Sequence, residues 1–110
     1  MRTDLKLIKN YFIIFSKKDI YGLTKLFHKN IILKDWEGIY RGRSAVTKKN
    51  NIIFRDCKKI RIKIINIFKK NNIFSIQLKI FINSNPTPIE VIDLIKINNN
   101  KIKKIEAFKR

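Results

Sequence analysis

In the segment IEVIDLIKINNNKIKKIEAF, residues 89–108, the odd positions from 89 to 97 are apolar with one exception, and the positions between them are mixed. Ile89, Val91, Ile95 and Ile97 share one face at period two, and Asp93 stands in the middle of that face. Such alternation marks a strand with one side buried. Asn98-Asn99-Asn100 supplies a turn, and residues 101–109 read as the returning strand. The segment is a β-hairpin with an acid on its core side.

Upstream the same period continues. Ile60, Ile62 and Ile64 alternate with Arg61 and Lys63, and Asn71-Asn72 forms the next turn. Phe74, Ile76, Leu78, Ile80 and Ile82 then alternate with Ser75, Gln77, Lys79 and Asn83. SNPTP (84–88) is a loop, because Pro86 and Pro88 have no N–H to give a ladder. The first half has helical spacing instead. Residues 4–16 read as a helix with Thr3 as its N-cap. Leu5, Ile8, Phe12 and Phe15 form one stripe and Leu7, Tyr11 and Ile14 another, so this helix is expected to be enclosed. Asp19 caps a second helix through about Phe27, with Leu23, Leu26 and Phe27 as its buried side. Residues 31–35 suggest a brief strand, Trp36-Glu37-Gly38 a turn, Gly42 a break, and Ser44 to Arg55 a third helix. Helices first and an antiparallel meander after them make one α+β domain over residues 1–110, its sheet curled around the first helix.

The chain has 110 residues, room for a single core, and a formal charge of +18. That charge invites a nucleic-acid reading, which composition discounts. Ile (24), Lys (20) and Asn (12) supply 56 of the 110 residues. These are residues of AT-rich codons, so mutational bias explains much of the lysine. Arginine, the better fork for phosphates and base edges, numbers six. A solvated basic surface is expected, with nucleic acid unsupported as partner. No apolar run is long enough for a membrane span, and the N-terminus lacks a signal-peptide pattern, so a cytoplasmic protein is expected. One cysteine (Cys57) and one histidine (His28) exclude a disulfide framework and a Cys/His zinc site. Cys57 reads as inert and His28 as a helix-terminal residue. No phosphate loop, nucleophile elbow or metal motif is present, and neither metal nor cofactor is expected.

The eight acids can be sorted. Asp4 and Asp19 sit at helix starts, where free N–H groups use them. Glu37, Asp56, Glu90 and Glu106 fall in turns or on mixed strand faces. Asp93 lies on an apolar face, and Asp35 follows Ile31 and Leu33 at a strand end. A carboxylate among apolar side chains is costly, so its pKa should rise, which is common at functional sites and at buried structural pairs alike.

The stretches YFIIFSKKDIYGLTKLF (11–27), NIILKDWEG (30–38), YRGRSAV (40–46) and VIDLIKINNNKIKKIEAF (91–108) together resemble the nuclear transport factor 2-like superfamily, in its branch of ketosteroid isomerases and polyketide-cyclase-like proteins. The resemblance spans nearly the whole chain. It implies a cone-shaped α+β fold with a hydrophobic pocket for a small molecule, commonly in a homodimer. It further implies roles taken from the isomerases themselves: Asp35 as general base, and Tyr11 with a protonated Asp93 as oxyanion hole. Trp36, which stands where the isomerases carry proline, would line the pocket with Phe12, Phe15 and Phe74. Three functions follow as alternatives: a cofactor-independent isomerase acting alpha to a carbonyl, a non-catalytic ligand-binding domain of the same fold, or lysine-driven nucleic-acid binding. Ile92 and Leu94 face away from Asp93, and Phe81 sits among polar positions, which suggests a dimer formed sheet to sheet.

Overall fold

Three helices lead into most of the sheet, and each is placed by a local signal. The computed structural model describes residues 2–110. Helix α1 (Arg2–Ser16) carries Ile8, Tyr11, Phe12 and Phe15 at i, i+3, i+4 and i+7, and the first three are buried. Lys6, Lys9, Asn10 and Ile13 on its other side are exposed. The helix is therefore wrapped on one side only, a correction to the enclosure expected from its apolar circumference. It begins at Arg2, ahead of the cap expected at Thr3, whose side chain falls outside the described ones.

Asp19 caps α2 (Ile20–Lys25), its Oδ1 accepting the Gly22 N–H at 3.0 Å. A Cβ at position 22 would lie 2.5 Å from Asp19 Oδ2, so glycine makes room for the cap. The helix stops earlier than expected, and Phe27 opens strand β1 (Phe27–Asp35). The cause is long-range: Ile102 donates its N–H to the Leu26 carbonyl at 2.8 Å, and Phe27 pairs in register with Ile102. His28 accordingly lies in a strand, not at a helix end, and its Nδ1 accepts the Asn30 N–H. A short strand not expected from the sequence, β2 (Gly38–Arg41), returns antiparallel to β1. Gly42, at φ +91°, turns the chain into α3 (Arg43–Asp56) and donates to the Ile31 carbonyl at 2.7 Å.

Strands β3 (Ile60–Lys70), β4 (Ile73–Ile82), β5 (Ile89–Asn98) and β6 (Lys101–Lys109) follow as the expected meander. Asn99 and Asn100 both have positive φ, 52° and 59°, as a two-residue hairpin loop with the hand of the strand twist requires. Asparagine tolerates that region at low cost. The sheet order is β2-β1-β6-β5-β4-β3, antiparallel throughout except for the parallel β1–β6 pair. Register shifts at Ile64/Asn66 and at Lys96/Ile97 mark bulges, which bend strands and add twist. The resulting sheet is curved and unclosed. Its inner face meets the helices in one apolar cluster, with Ile8, Phe12 and Leu23 on one side and Phe74, Ile76 and Ile95 on the other. Among the described residues, no helix is long and apolar enough to cross a membrane.

Candidate functional site

Period two along β5 points Val91, Asp93, Ile95 and Ile97 inward. Across the ladder Asp93 is flanked by Ile76 on β4 and by Ala107 on β6. Ala107 is one of only two alanines in the chain, and its methyl is too short to fill the space beside the carboxyl. A cavity of about 270 Å³ begins there and reaches the β1–β2 loop. Tyr11 and Phe15 from α1, Asn50 and Ile53 from α3, and Leu33 and Asp35 from β1 complete much of its wall. A larger but shallow groove of about 500 Å³ runs along the outside of α1, between the solvated Lys6, Lys9 and Asn10.

Asp93 is 7% exposed, and no described side chain donates a hydrogen bond to it. Burial raises its carboxyl from the ordinary 3.8 to about 7. A substantial share is therefore the neutral acid at physiological pH, able to donate a hydrogen bond. Tyr11 lies deeper still. Burial first, and the charge of Asp93 second, hold its hydroxyl well above the usual tyrosine range, so it stays a donor. The Tyr11 ring is clamped edge-on by Phe12 and Phe15, at centroid distances of 4.9 and 6.0 Å. Tyr11 and Asp93 share the cavity without bonding to one another, which leaves both polar tips for a third group.

Asp35 ends β1 and lines the cavity at its mouth. Its Oδ1 accepts the N–H groups of Glu37 (2.8 Å) and Gly38 (3.1 Å), which ties the two-residue Trp36-Glu37 loop. Oδ2 has no partner among the described residues. Half-exposed Trp36 flanks the mouth, with the Lys109 ammonium 5.2 Å from its ring centroid. Lys49 reaches from α3 to pair with Glu37, and that hydrogen bond holds the Glu37 carboxyl below its usual range.

Five of the seven residues expected at the site thus meet in one cavity: Tyr11, Phe15, Asp35, Trp36 and Asp93. Phe12 and Phe74 do not. Both are buried in the core, Phe12 beneath α1 and Phe74 beside Ile95 on the sheet, where they support the wall without forming it. Cys57, the C-cap residue of α3, does line the cavity, and its carbonyl accepts Lys18. Asn50 was missed by sequence reasoning. The signal was available, since Val46, Asn50 and Phe54 form a buried stripe at i, i+4 and i+8. That is the helical counterpart of the period-two rule that exposed Asp93. Among the described residues, no three His, Cys, Asp or Glu side chains gather as a metal site.

No family model matches the chain, and no curated protein does. Solved structures do. A candidate isomerase of the SnoaL-like family from Agrobacterium tumefaciens superposes with TM-score 0.84 at 11% identity, covering 100% of this chain and 99% of that one. A candidate polyketide cyclase from Sinorhizobium meliloti gives 0.83 at 14%, with 93% of each chain covered. A candidate ketosteroid isomerase from Kribbella flavida gives 0.81 at 7%, covering 100% of this chain and 79% of that one. At such identities the likeness is one of architecture. Taken with the helices set inside a curved six-stranded sheet, it shows that this chain has the nuclear transport factor 2-like cone fold.

Proposed function

We propose that the protein is a cofactor-independent isomerase that moves a proton alpha to the carbonyl of a small hydrophobic compound. The observation that carries this reading is that Asp35, Tyr11 and Asp93, whose carboxyl is raised to about 7 by burial, line one apolar cavity. The names borne by structural neighbours, isomerases and a polyketide cyclase, add support. In the reaction, Asp35 takes a proton from the alpha carbon, and the C–H electron pair becomes the C=C bond of an enolate. Negative charge gathers on the carbonyl oxygen, where Tyr11 and protonated Asp93 donate hydrogen bonds. Asp35 then returns the proton to the gamma carbon, so the double bond has moved and the enzyme is unchanged. The test is conversion of β,γ-unsaturated ketones, beginning with cyclohex-3-enone, followed by the absorbance of the conjugated product. Turnover above the buffer rate supports the reading. No turnover across a panel of ketones that bind would overturn it.

A second reading, ligand binding without chemistry, is favoured by one observation. Asp35 already has a structural task, since its Oδ1 ties the β1–β2 loop. Binding of ketones with no proton exchange would select it.

We also propose that two copies pair through the outer sheet face. Ile92 and Phe108 are register partners there, 44% and 50% exposed, and Phe68 on β3 is 65% exposed. Leu94 beside them is half-buried, and Phe81 is covered by Arg61, 4.5 Å from its ring centroid. The chains carry +18 each, so the apolar contact works against repulsion that salt screens at a Debye length of about 8 Å. Sedimentation at micromolar protein should give a dimer that strengthens from low to moderate salt. A monomer at both salts would contradict the pairing.

A further inference from the structure

Asn50 is a polar side chain that folding does not need. It is 3% exposed on the inner stripe of α3, it lines the cavity, and its Nδ2 has no hydrogen-bond partner among the described residues. A buried donor left bare destabilises a protein, whereas leucine of nearly the same size would pack between Val46 and Phe54 at no such cost. The cavity wall also holds Ile53, Ile80 and Ile82, whose side chains accept nothing. The three carboxylates that line the cavity, Asp35, Glu37 and Asp93, are not bonded to the amide either. The Asn50 amide, which lines the cavity and has a donor unmet within the fold, is thus left to bond with what enters.

Resting on the oxyanion pair proposed above, we infer that Asn50 Nδ2 donates to a second acceptor oxygen on the ligand. The cavity then selects small carbonyl compounds that carry a further carbonyl, ether or hydroxyl oxygen over their hydrocarbon counterparts. A site built to hydrogen-bond a ligand group rejects the analogue lacking it, because its own polar group stays unpaired. Size sharpens the class. At ~30 Å³ per water the cavity holds about nine waters, so its ligand has on the order of ten non-hydrogen atoms. One ring with two oxygen functions fits that space.

Phenols mimic the enol at Tyr11 and Asp93, so matched phenols isolate the second contact. The three positional isomers of hydroxyacetophenone are compared by calorimetry with the matching isopropylphenols, which have the same number of heavy atoms and no carbonyl. At least one hydroxyacetophenone should bind the wild type about tenfold tighter than its partner, the worth of one good hydrogen bond. In Asn50→Leu that preference should fall below about twofold, isopropylphenol binding should persist, and Tm should rise. Equal binding within every pair in the wild type, or a preference that survives in Asn50→Leu, would overturn the role of Asn50 while leaving the oxyanion pair standing. A lower Tm in Asn50→Leu would overturn it too, by showing the amide engaged within the fold. Failure of every phenol to bind would overturn both the pair and this inference.

Discussion

Asp93→Asn is expected to stabilise the protein strongly at pH 8 and to leave it nearly unchanged at pH 3. The native carboxyl titrates at about 7 and the ordinary one at 3.8. Below both values folded and unfolded chains are protonated, and the group contributes nothing. Between them the unfolded chain has released its proton and the native one has kept it. Stability then falls as pH rises, by ~1.4 kcal/mol per unit. Above pH 7 the loss is complete, on the order of 4 kcal/mol. Asparagine has no proton to lose and keeps the polar volume. The difference between wild type and variant should therefore be near zero at pH 3, grow from pH 4 to 7, and level off. Urea unfolding at five pH values measures it. A flat difference would mean that Asp93 titrates normally and is not held neutral by burial.

The second large effect concerns Asp35. Asparagine keeps a carbonyl oxygen where Oδ1 accepts the Glu37 and Gly38 N–H groups, so the β1–β2 loop should survive in Asp35→Asn. What asparagine cannot do is take a proton. Isomerisation should fall ~10²- to 10⁴-fold, the usual worth of a general base, with stability within ~0.5 kcal/mol of wild type. Asp35→Ala loses the base and the loop acceptor together, and should cost about 1 kcal/mol or more of stability as well. The two variants separate the chemical task from the structural one. Equal turnover in wild type and Asp35→Asn would assign the residue to the loop alone.

Much of this was legible in the sequence, and the divide has physical causes. The β3–β6 meander follows from period two and asparagine turns, and Asp93 emerges from the same period because a strand has only two faces. The cap at Asp19 and the break at Gly42 are likewise local signals. What was misread depended on distant partners. Phe27 continues the helical stripe, yet its pairing with Ile102 on the last strand pulls it into β1 and carries His28 along. Strand β2 is four residues long and holds its register through Asp35 and the loop, not through a pattern of its own. Phe12 and Phe74 show the limit for the site. Periodicity says which side of an element is buried, and cannot say whether an inward ring fills the core or borders a void. Asn50 was readable by the stripe it shares with Val46 and Phe54, but the lysines and asparagines around it hid that stripe.

The proposed chemistry begins with removal of a proton alpha to a carbonyl, and that step can be watched without the full isomerisation. A small cyclic ketone such as cyclohexanone is incubated in deuterium oxide with wild-type protein and, separately, with Asp35→Asn, and its alpha protons are followed by NMR. Loss of the alpha signal well above the buffer rate is expected with wild type, together with an exchange at least a hundredfold slower in the variant. Exchange at the buffer rate with wild type, for ketones shown to occupy the cavity, would contradict an acid–base role for Asp35, Tyr11 and Asp93.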